Sequence, residues 1–127
     1  MSITYVRGAA AAVSVVAAAA VAGTALAGGS ASTAQATTTV NVVAGKPSEF
    51  HFKLNPKAGK KGVVVFHVVN DGKTTHDFKI KGRVTRHLAP GKSATIRITF
   101  AKAGSYQYLC TLPGHAAAGM KGVFKVS

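Results

Sequence analysis

One short segment near the carboxyl end carries three side chains that bind soft metals. Cys110, His115 and Met120 follow one another at five-residue steps. Thiolate and thioether sulfurs are soft donors, and imidazole binds copper in either redox state. A further histidine, His76, lies upstream beside a predicted strand. Two histidines, one cysteine and one methionine form the donor set of a mononuclear copper site that transfers electrons.

Each of these residues has a simpler interpretation when it is taken alone. A methionine usually fills a core, a lone cysteine is often buried and inert, and a histidine is often a surface residue or a packed one. The joint spacing favours metal binding. Pro113 and Gly114 predict a turn that folds His115 back toward the metal. In this interpretation Met120 is the weak axial donor that tunes the redox potential, and the other three donors form a trigonal set.

The elements that must position these donors are predicted to be short strands. Alternating or continuous apolar patterns rich in β-branched residues, bounded by turn signals, mark seven segments. They cover residues 38–43, 49–54, 62–69, 76–80, 93–100, 105–110 and 122–126. After the amino-terminal region no segment has a helical period. The pattern therefore predicts an all-β sandwich or barrel, in which copper would join distant segments and stabilise the fold.

The amino-terminal region is predicted to be a secretory signal. Arg7 precedes an Ala/Val run over residues 8–23, and a small-x-small cleavage site ends at Ala27. A second site after Ala36 and a retained membrane anchor are the alternatives. The predicted organisation is a signal peptide at residues 1–27, a flexible tether at 28–37 and one copper-binding domain at 38–127. We therefore expect an exported protein in the periplasm, the extracellular space or the cell envelope.

The charge balance of the chain is strongly basic. Sixteen Lys and Arg residues face three acidic residues, and the formal net charge is +13. Such a surface attracts anionic partners and speeds their encounter. We expect redox protein partners with acidic docking surfaces, and peripheral contact with an anionic envelope; solubility in such an envelope is the simpler interpretation. The lysines are scattered and form no nucleic-acid-binding motif, so nucleic acid is not an expected partner.

The acidic residues give no sign of catalysis. Glu49, Asp71 and Asp77 form no catalytic pair in the sequence, and there is no Ser/His/Asp arrangement. A site with four protein donors also leaves no open position for a substrate. We expect a monomer that is not an enzyme.

Two segments resemble the cupredoxin family of small blue copper proteins. Residues 104–122, Gly-Ser-Tyr-Gln-Tyr-Leu-Cys-Thr-Leu-Pro-Gly-His-Ala-Ala-Ala-Gly-Met-Lys-Gly, are similar to the carboxyl-terminal signature of that family, with parts like azurins and parts like plastocyanins. Residues 69–78 resemble the segment with the first histidine. The resemblance implies a Greek-key β-sandwich with one type 1 copper bound by His76, Cys110, His115 and Met120. It also implies a single-electron carrier in which the edge of His115 passes the electron.

The resemblance gives Asp77 a role beside the site. Its backbone N–H would donate to the Cys110 sulfur, and its side chain would bond to the ligand loop near Thr111; a solvated surface charge is the alternative. The remaining histidines, His51, His67 and His87, are not in motif positions and are predicted to stay away from the copper.

Three other functions are compatible with the same sequence. A copper carrier or storage protein would use the same donors without efficient electron transfer. A structural sandwich would hold the donors by accident, and a basic envelope-binding module would need no metal.

Overall fold

The structure is a computed structural model, and it describes residues 36–127. The predicted signal peptide and most of the predicted tether lie outside the described residues, so these assignments stay predictions. Within residues 36–127, no helix is long and apolar enough to cross a membrane.

The described chain folds into two β-sheets. Its nine strands are β1 Thr37–Ala44, β2 Phe52–Asn55, β3 Ala58–Gly59, β4 Gly62–Asn70, β5 Lys79–Ile80, β6 Arg83–Val84, β7 Ser93–Phe100, β8 Gly104–Leu109 and β9 Lys121–Val126. One sheet has the strand order β2-β1-β4-β7, and the other has the order β3-β9-β8-β5-β6. The pairs β1–β4 and β3–β9 are parallel, and the other paired strands are antiparallel. The all-β sandwich prediction is confirmed.

Alternation along the strands separates a buried face from an exposed face. In β4, Val64, Phe66 and Val68 are buried, whereas His67 between them is exposed. Side chains on a strand alternate between its two faces, so this pattern turns one side of the strand toward the other sheet. Val40 of β1 lies opposite Phe66 in the parallel register and is buried with it.

Four phenylalanines occupy the space between the sheets. Phe66, Phe78, Phe100 and Phe124 are fully buried. Phe66 meets the other three at ring-centroid distances of 5.3–6.3 Å. Aromatic pairs at such separations contribute beyond the area that they bury. This core links the two sheets, and a smaller cluster formed by Ala44, Cys110 and Met120 adjoins the loops described next.

The structure corrects two of the predicted strands. The strand predicted at 49–54 begins only at Phe52, and Glu49 lies in the preceding loop. In the segment predicted at 76–80, His76 forms an isolated bridge with Leu88, and the strand itself is Lys79–Ile80. The two-residue strands β3 and β6 were not predicted, because segments so short carry no periodic signal.

Candidate metal centre

His76 is held in place by backbone pairing across a loop. Its N–H donates to the Leu88 carbonyl at 3.0 Å, and the Leu88 N–H donates back to the His76 carbonyl at 2.7 Å. The Asn70 side-chain amide also donates to the Leu88 carbonyl at 2.7 Å. Because β4 ends at Asn70, this bond ties the segment that carries His76 to the end of a central strand.

The carboxyl-terminal donors lie on one closed loop. Cys110 directly follows β8, and its N–H donates to the Met120 carbonyl at 3.1 Å. Inside the loop, the Met120 N–H donates to the His115 carbonyl at 3.1 Å. Gly114 and Gly119 have φ of 80° and 117°, which glycine adopts without strain. The loop thus brings the three donors back to one end of the sandwich, and the turn predicted at Pro113 and Gly114 lies inside it.

The side chains of His76, Cys110 and His115 converge at this end of the sandwich. The ligand atoms of His76, Cys110 and His115 all lie within 4.8 Å of one another. The two imidazole Nδ1 atoms are 3.2 Å apart, and the Cys110 Sγ is 3.5 Å from the His115 Nδ1. Bonds of about 2.0–2.3 Å to a metal would place trigonal donors roughly 3.5 Å apart. The donor chemistry and spacing therefore fit a mononuclear metal ion with little side-chain movement.

Met120 lies beside these donors. It is fully buried, and it shares a small apolar cluster with Cys110 and Ala44. Phe50, Phe52 and Leu112 pack against that cluster. A thioether in such a dry pocket is a weak soft donor of the kind that an axial position requires.

Burial shifts the pKa of two of the candidate donors. It raises the pKa of the Cys110 thiol, although the backbone N–H groups of Asp77 and Leu112 oppose this by donating to the sulfur. Burial, followed by the neighbouring His76, lowers the pKa of His115 below its usual 6.5, so this imidazole is neutral at pH 7. Metal binding here would displace a proton from the thiol, and it would meet an imidazole that is free to bind.

Asp77 holds the ligand loop, residues 110–120, through hydrogen bonds to Thr111. It is only 1% exposed. Its Oδ1 accepts the Thr111 N–H at 2.6 Å, and its Oδ2 accepts the Thr111 hydroxyl. Its own backbone N–H donates to the Cys110 sulfur. Both contacts that the resemblance implied are confirmed, and the alternative of a solvated charge is wrong.

Glu49 also contributes to the site, although its position in the sequence predicts no such role. Its Oε1 lies 2.8 Å from the Nε2 of His76, on the ring edge opposite the Nδ1 that faces His115. The carboxylate also accepts hydrogen bonds from the backbone N–H groups of Lys73 and Thr74. These bonds, the one from Lys73 first, lower the pKa of Glu49 to about 2. Its contact with His76 spans 27 residues, and no local pattern signals such a distant pair.

Comparison with known proteins decides the family. The family model described as Cupredoxin-like domain matches residues 11–123. The chain belongs to the cupredoxin-like family. This membership confirms the family resemblance, and together with the clustered donors it confirms the prediction of a copper cofactor. Which side chains bind the copper stays a prediction, and the structure brings three of the four predicted ligands together with the fourth packed beside them.

Several known proteins are similar to this chain in sequence or in fold. The chain is 28% identical over 108 residues to the copper-resistant cuproprotein CopI of Vibrio cholerae; the match covers 68% of the chain but only 64% of CopI, less than two thirds of its length. Auracyanin B superposes with a TM-score of 0.64 at 23% identity, covering 76% of this chain and 93% of that one. Rusticyanin of Thiobacillus ferrooxidans superposes with a TM-score of 0.57 at 26% identity, covering 72% and 77%.

The three remaining histidines have other contacts. The Nδ1 of His51 lies 2.5 Å from the Ser48 hydroxyl, and the Nδ1 of His67 lies 3.0 Å from the Thr95 hydroxyl. The exposed His87 places its Nε2 3.6 Å from the Asp77 carboxylate. None of the three belongs to the donor cluster found among the described residues, in agreement with the sequence analysis.

Proposed function

We propose that this protein is an exported type 1 copper protein that carries single electrons between redox partners and is not an enzyme. The observation that carries the proposal is the convergence of two imidazole Nδ1 atoms and one thiol sulfur beside the buried Met120. The proposed ligands are His76, Cys110, His115 and Met120. Copper bound by them would supply one-electron chemistry between Cu(I) and Cu(II).

The residues around the donors favour fast transfer because they hold the donors still. Asp77 bonds to both the N–H and the hydroxyl of Thr111, and Cys110 pairs with Met120 through the backbone. Glu49 fixes the far edge of His76. Donors that are fixed by the fold change position little between two oxidation states, so little reorganisation opposes the transfer.

His115 is the proposed point of electron exit. His76 is fully buried, whereas His115 is only partly buried and reaches the surface. Pro113, Ala117 and Ala118 around it are exposed, small and uncharged. A partner can therefore approach the ring edge closely without displacing charged side chains. Redox encounters use small and weak interfaces of this kind.

The basic surface supports an acidic partner. The excess of fifteen Lys and Arg residues over three acidic residues after residue 27 would steer an acidic redox protein, or hold the protein near an anionic envelope, without forming part of the contact itself. The leader-like sequence of residues 1–27 supports export, and we propose that the exported protein is a monomer that does not act on nucleic acid.

Copper handling is the second candidate function. It is favoured by the similarity to a protein described as a copper-resistant cuproprotein. A carrier or storage protein would use the same four donors but would release copper readily to another protein. The two functions thus predict opposite orders of rate, with electron transfer faster than copper release in the first and slower in the second.

Stopped-flow kinetics on the copper-loaded protein separates the two candidates. The reduced protein is mixed with the anion hexacyanoferrate(III), and copper release to a strong chelator is measured in parallel. We expect oxidation to be far faster than release, with a rate constant that falls as ionic strength rises, because salt screens the attraction to the basic surface. Release that outpaces oxidation would contradict electron transfer and support the carrier. A rate of oxidation independent of salt would contradict steering.

A further inference from the structure

Glu49 is bound more firmly than an ordinary surface carboxylate. Its Oε1 accepts the Lys73 N–H at 3.0 Å, the Thr74 N–H at 3.0 Å and the Thr74 hydroxyl at 2.9 Å. Its Oε2 accepts the Lys73 N–H at 2.9 Å. Backbone donors on a neighbouring loop therefore fix the position of the carboxylate independently of its contact with His76.

His76 has no freedom to turn away from this carboxylate. Its side chain is fully buried, and its Nε2 lies 2.8 Å from the Glu49 Oε1. A Cβ placed on Gly72 would come within 2.7 Å of that oxygen and 3.0 Å of the Nε2, so the chain leaves just enough space for the pair. The Phe50 ring packs edge-on against the imidazole at a centroid distance of 6.4 Å.

We propose that Glu49 is a positioning residue that fixes the proton of His76 on Nε2, presents its Nδ1 as the metal donor, and strengthens binding of Cu(II) relative to Cu(I). The inference rests on the proposed function, since it takes His76 as a copper ligand. An imidazole that donates its distal N–H to a carboxylate has a fixed tautomer and is a more basic ligand. A more basic ligand with a negative charge behind it favours the more highly charged metal ion.

The other acidic residues of the described chain do not share this arrangement. Asp71 is 62% exposed, and its carboxylate lies 3.7 Å from Lys46. Asp77 bonds to Thr111, and its carboxylate has no bond to His76. Asp71 is thus a matched control, because it carries the same charge on a loop close to Glu49 and has no bond to His76.

The first test uses the unaltered protein without copper. Nitrogen-15 NMR of the histidine rings at pH 8 reports which nitrogen of His76 carries the proton. We expect the proton on Nε2 and a bare Nδ1. A proton on Nδ1 with a bare Nε2 would overturn the inference, and this measurement depends on neither copper nor any variant.

The second test compares Glu49→Ala, Glu49→Gln and the control Asp71→Asn in the copper-loaded protein. Cu(II) affinity is measured by competition with a chelator, and the reduction potential is measured by redox titration. Loss of a carboxylate that bonds to a ligating histidine typically lowers metal affinity by about 10–100-fold, and we expect a loss of this size for Glu49→Ala. We expect a smaller loss for Glu49→Gln, because its amide oxygen can still accept a hydrogen bond from the His76 Nε2. Asp71→Asn should change affinity by less than about twofold, since exposed charges interact weakly.

The reduction potential distinguishes positioning from a merely structural effect. Each tenfold by which Cu(II) affinity falls more than Cu(I) affinity raises the potential by about 59 mV. We expect Glu49→Ala to raise the potential and Asp71→Asn to leave it unchanged. A Glu49→Ala protein with the affinity and potential of Asp71→Asn would overturn the inference.

Failure of the proposed function has a different signature. A wild-type protein that lacks a thiolate-to-copper band would contradict the type 1 site. The inference is judged separately by the His76 tautomer and by the chelator competition, neither of which uses that band.

Discussion

Removal of the Asp77 carboxylate tests how the ligand loop is held. Asp77 is buried, and it accepts both the backbone N–H and the hydroxyl of Thr111. In Asp77→Ala the N–H and the hydroxyl of Thr111 both lose their hydrogen-bond partner. The backbone N–H of residue 77 donates to the Cys110 sulfur, so a less rigid residue 77 also orients this thiol less firmly. We therefore expect a less stable apoprotein and weaker copper binding.

The size of the effect follows from the two hydrogen bonds. A hydrogen bond to a charged group contributes about 1.5–3 kcal/mol, so two of them set a range of about 3–6 kcal/mol. Removing a buried charge recovers part of its desolvation cost, which moves the expected loss for Asp77→Ala to about 3 kcal/mol. Asp77→Asn keeps an oxygen for the Thr111 N–H, and its amide can donate to the hydroxyl, so we expect a loss of about 1 kcal/mol.

Urea unfolding of the apoprotein measures these free energies directly. Thr111→Val serves as the matched variant, because it removes only the hydroxyl bond and should cost about 1.5–3 kcal/mol. In the double variant with Asp77→Ala, the two losses should not add, since both changes remove the same bond. A loss below about 1 kcal/mol for Asp77→Ala, or full additivity in the double variant, would refute the reasoning.

Three further predictions concern the core, the His76 pocket and the metal. Phe66→Ala should cost about 3–5 kcal/mol in urea unfolding because it leaves a large cavity, whereas Val123→Ala, at a side chain 52% exposed, should cost under about 0.5 kcal/mol; equal losses would contradict the core assignment. Gly72→Ala should weaken Cu(II) binding in chelator competition, because the new Cβ meets the Glu49 carboxylate at 2.7 Å, and Lys73→Ala should bind as the wild type does. Copper at about 1,000 times its dissociation constant should stabilise the fold by about 4 kcal/mol in thermal unfolding, and EDTA should reverse this; an unchanged midpoint would argue against a site formed only in the folded state.

Local patterns in the sequence predicted much of the sandwich. The strand Ser93–Phe100 was predicted with both ends correct, since its alternation of polar and apolar residues is complete within eight positions. The strand expected from residue 49 failed at its start because Glu49 bonds to backbone N–H groups 24 and 25 residues away. The short strand Ala58–Gly59 exists only because it pairs with Lys125 and Val126, and nothing local encodes that pairing.

The grouping of the three carboxyl-terminal candidate donors was predictable for the same reason. Cys110, His115 and Met120 lie on one loop, so their spacing is visible in the sequence and their convergence follows from a single turn. The link from Glu49 to His76 joins two loops that meet only after the sheets assemble. In the sequence, Glu49 is indistinguishable from a solvated charge, because neither its partner nor the backbone donors around it are its neighbours.

The visible absorption spectrum after addition of Cu(II) tests whether Cys110 binds copper in a type 1 site. We expect an intense thiolate-to-copper charge-transfer band in the wild-type protein, which bleaches on reduction, returns on oxidation and is absent in Cys110→Ser. A band of equal intensity in Cys110→Ser, or copper bound by the wild-type protein without any such band, would contradict the proposed type 1 site.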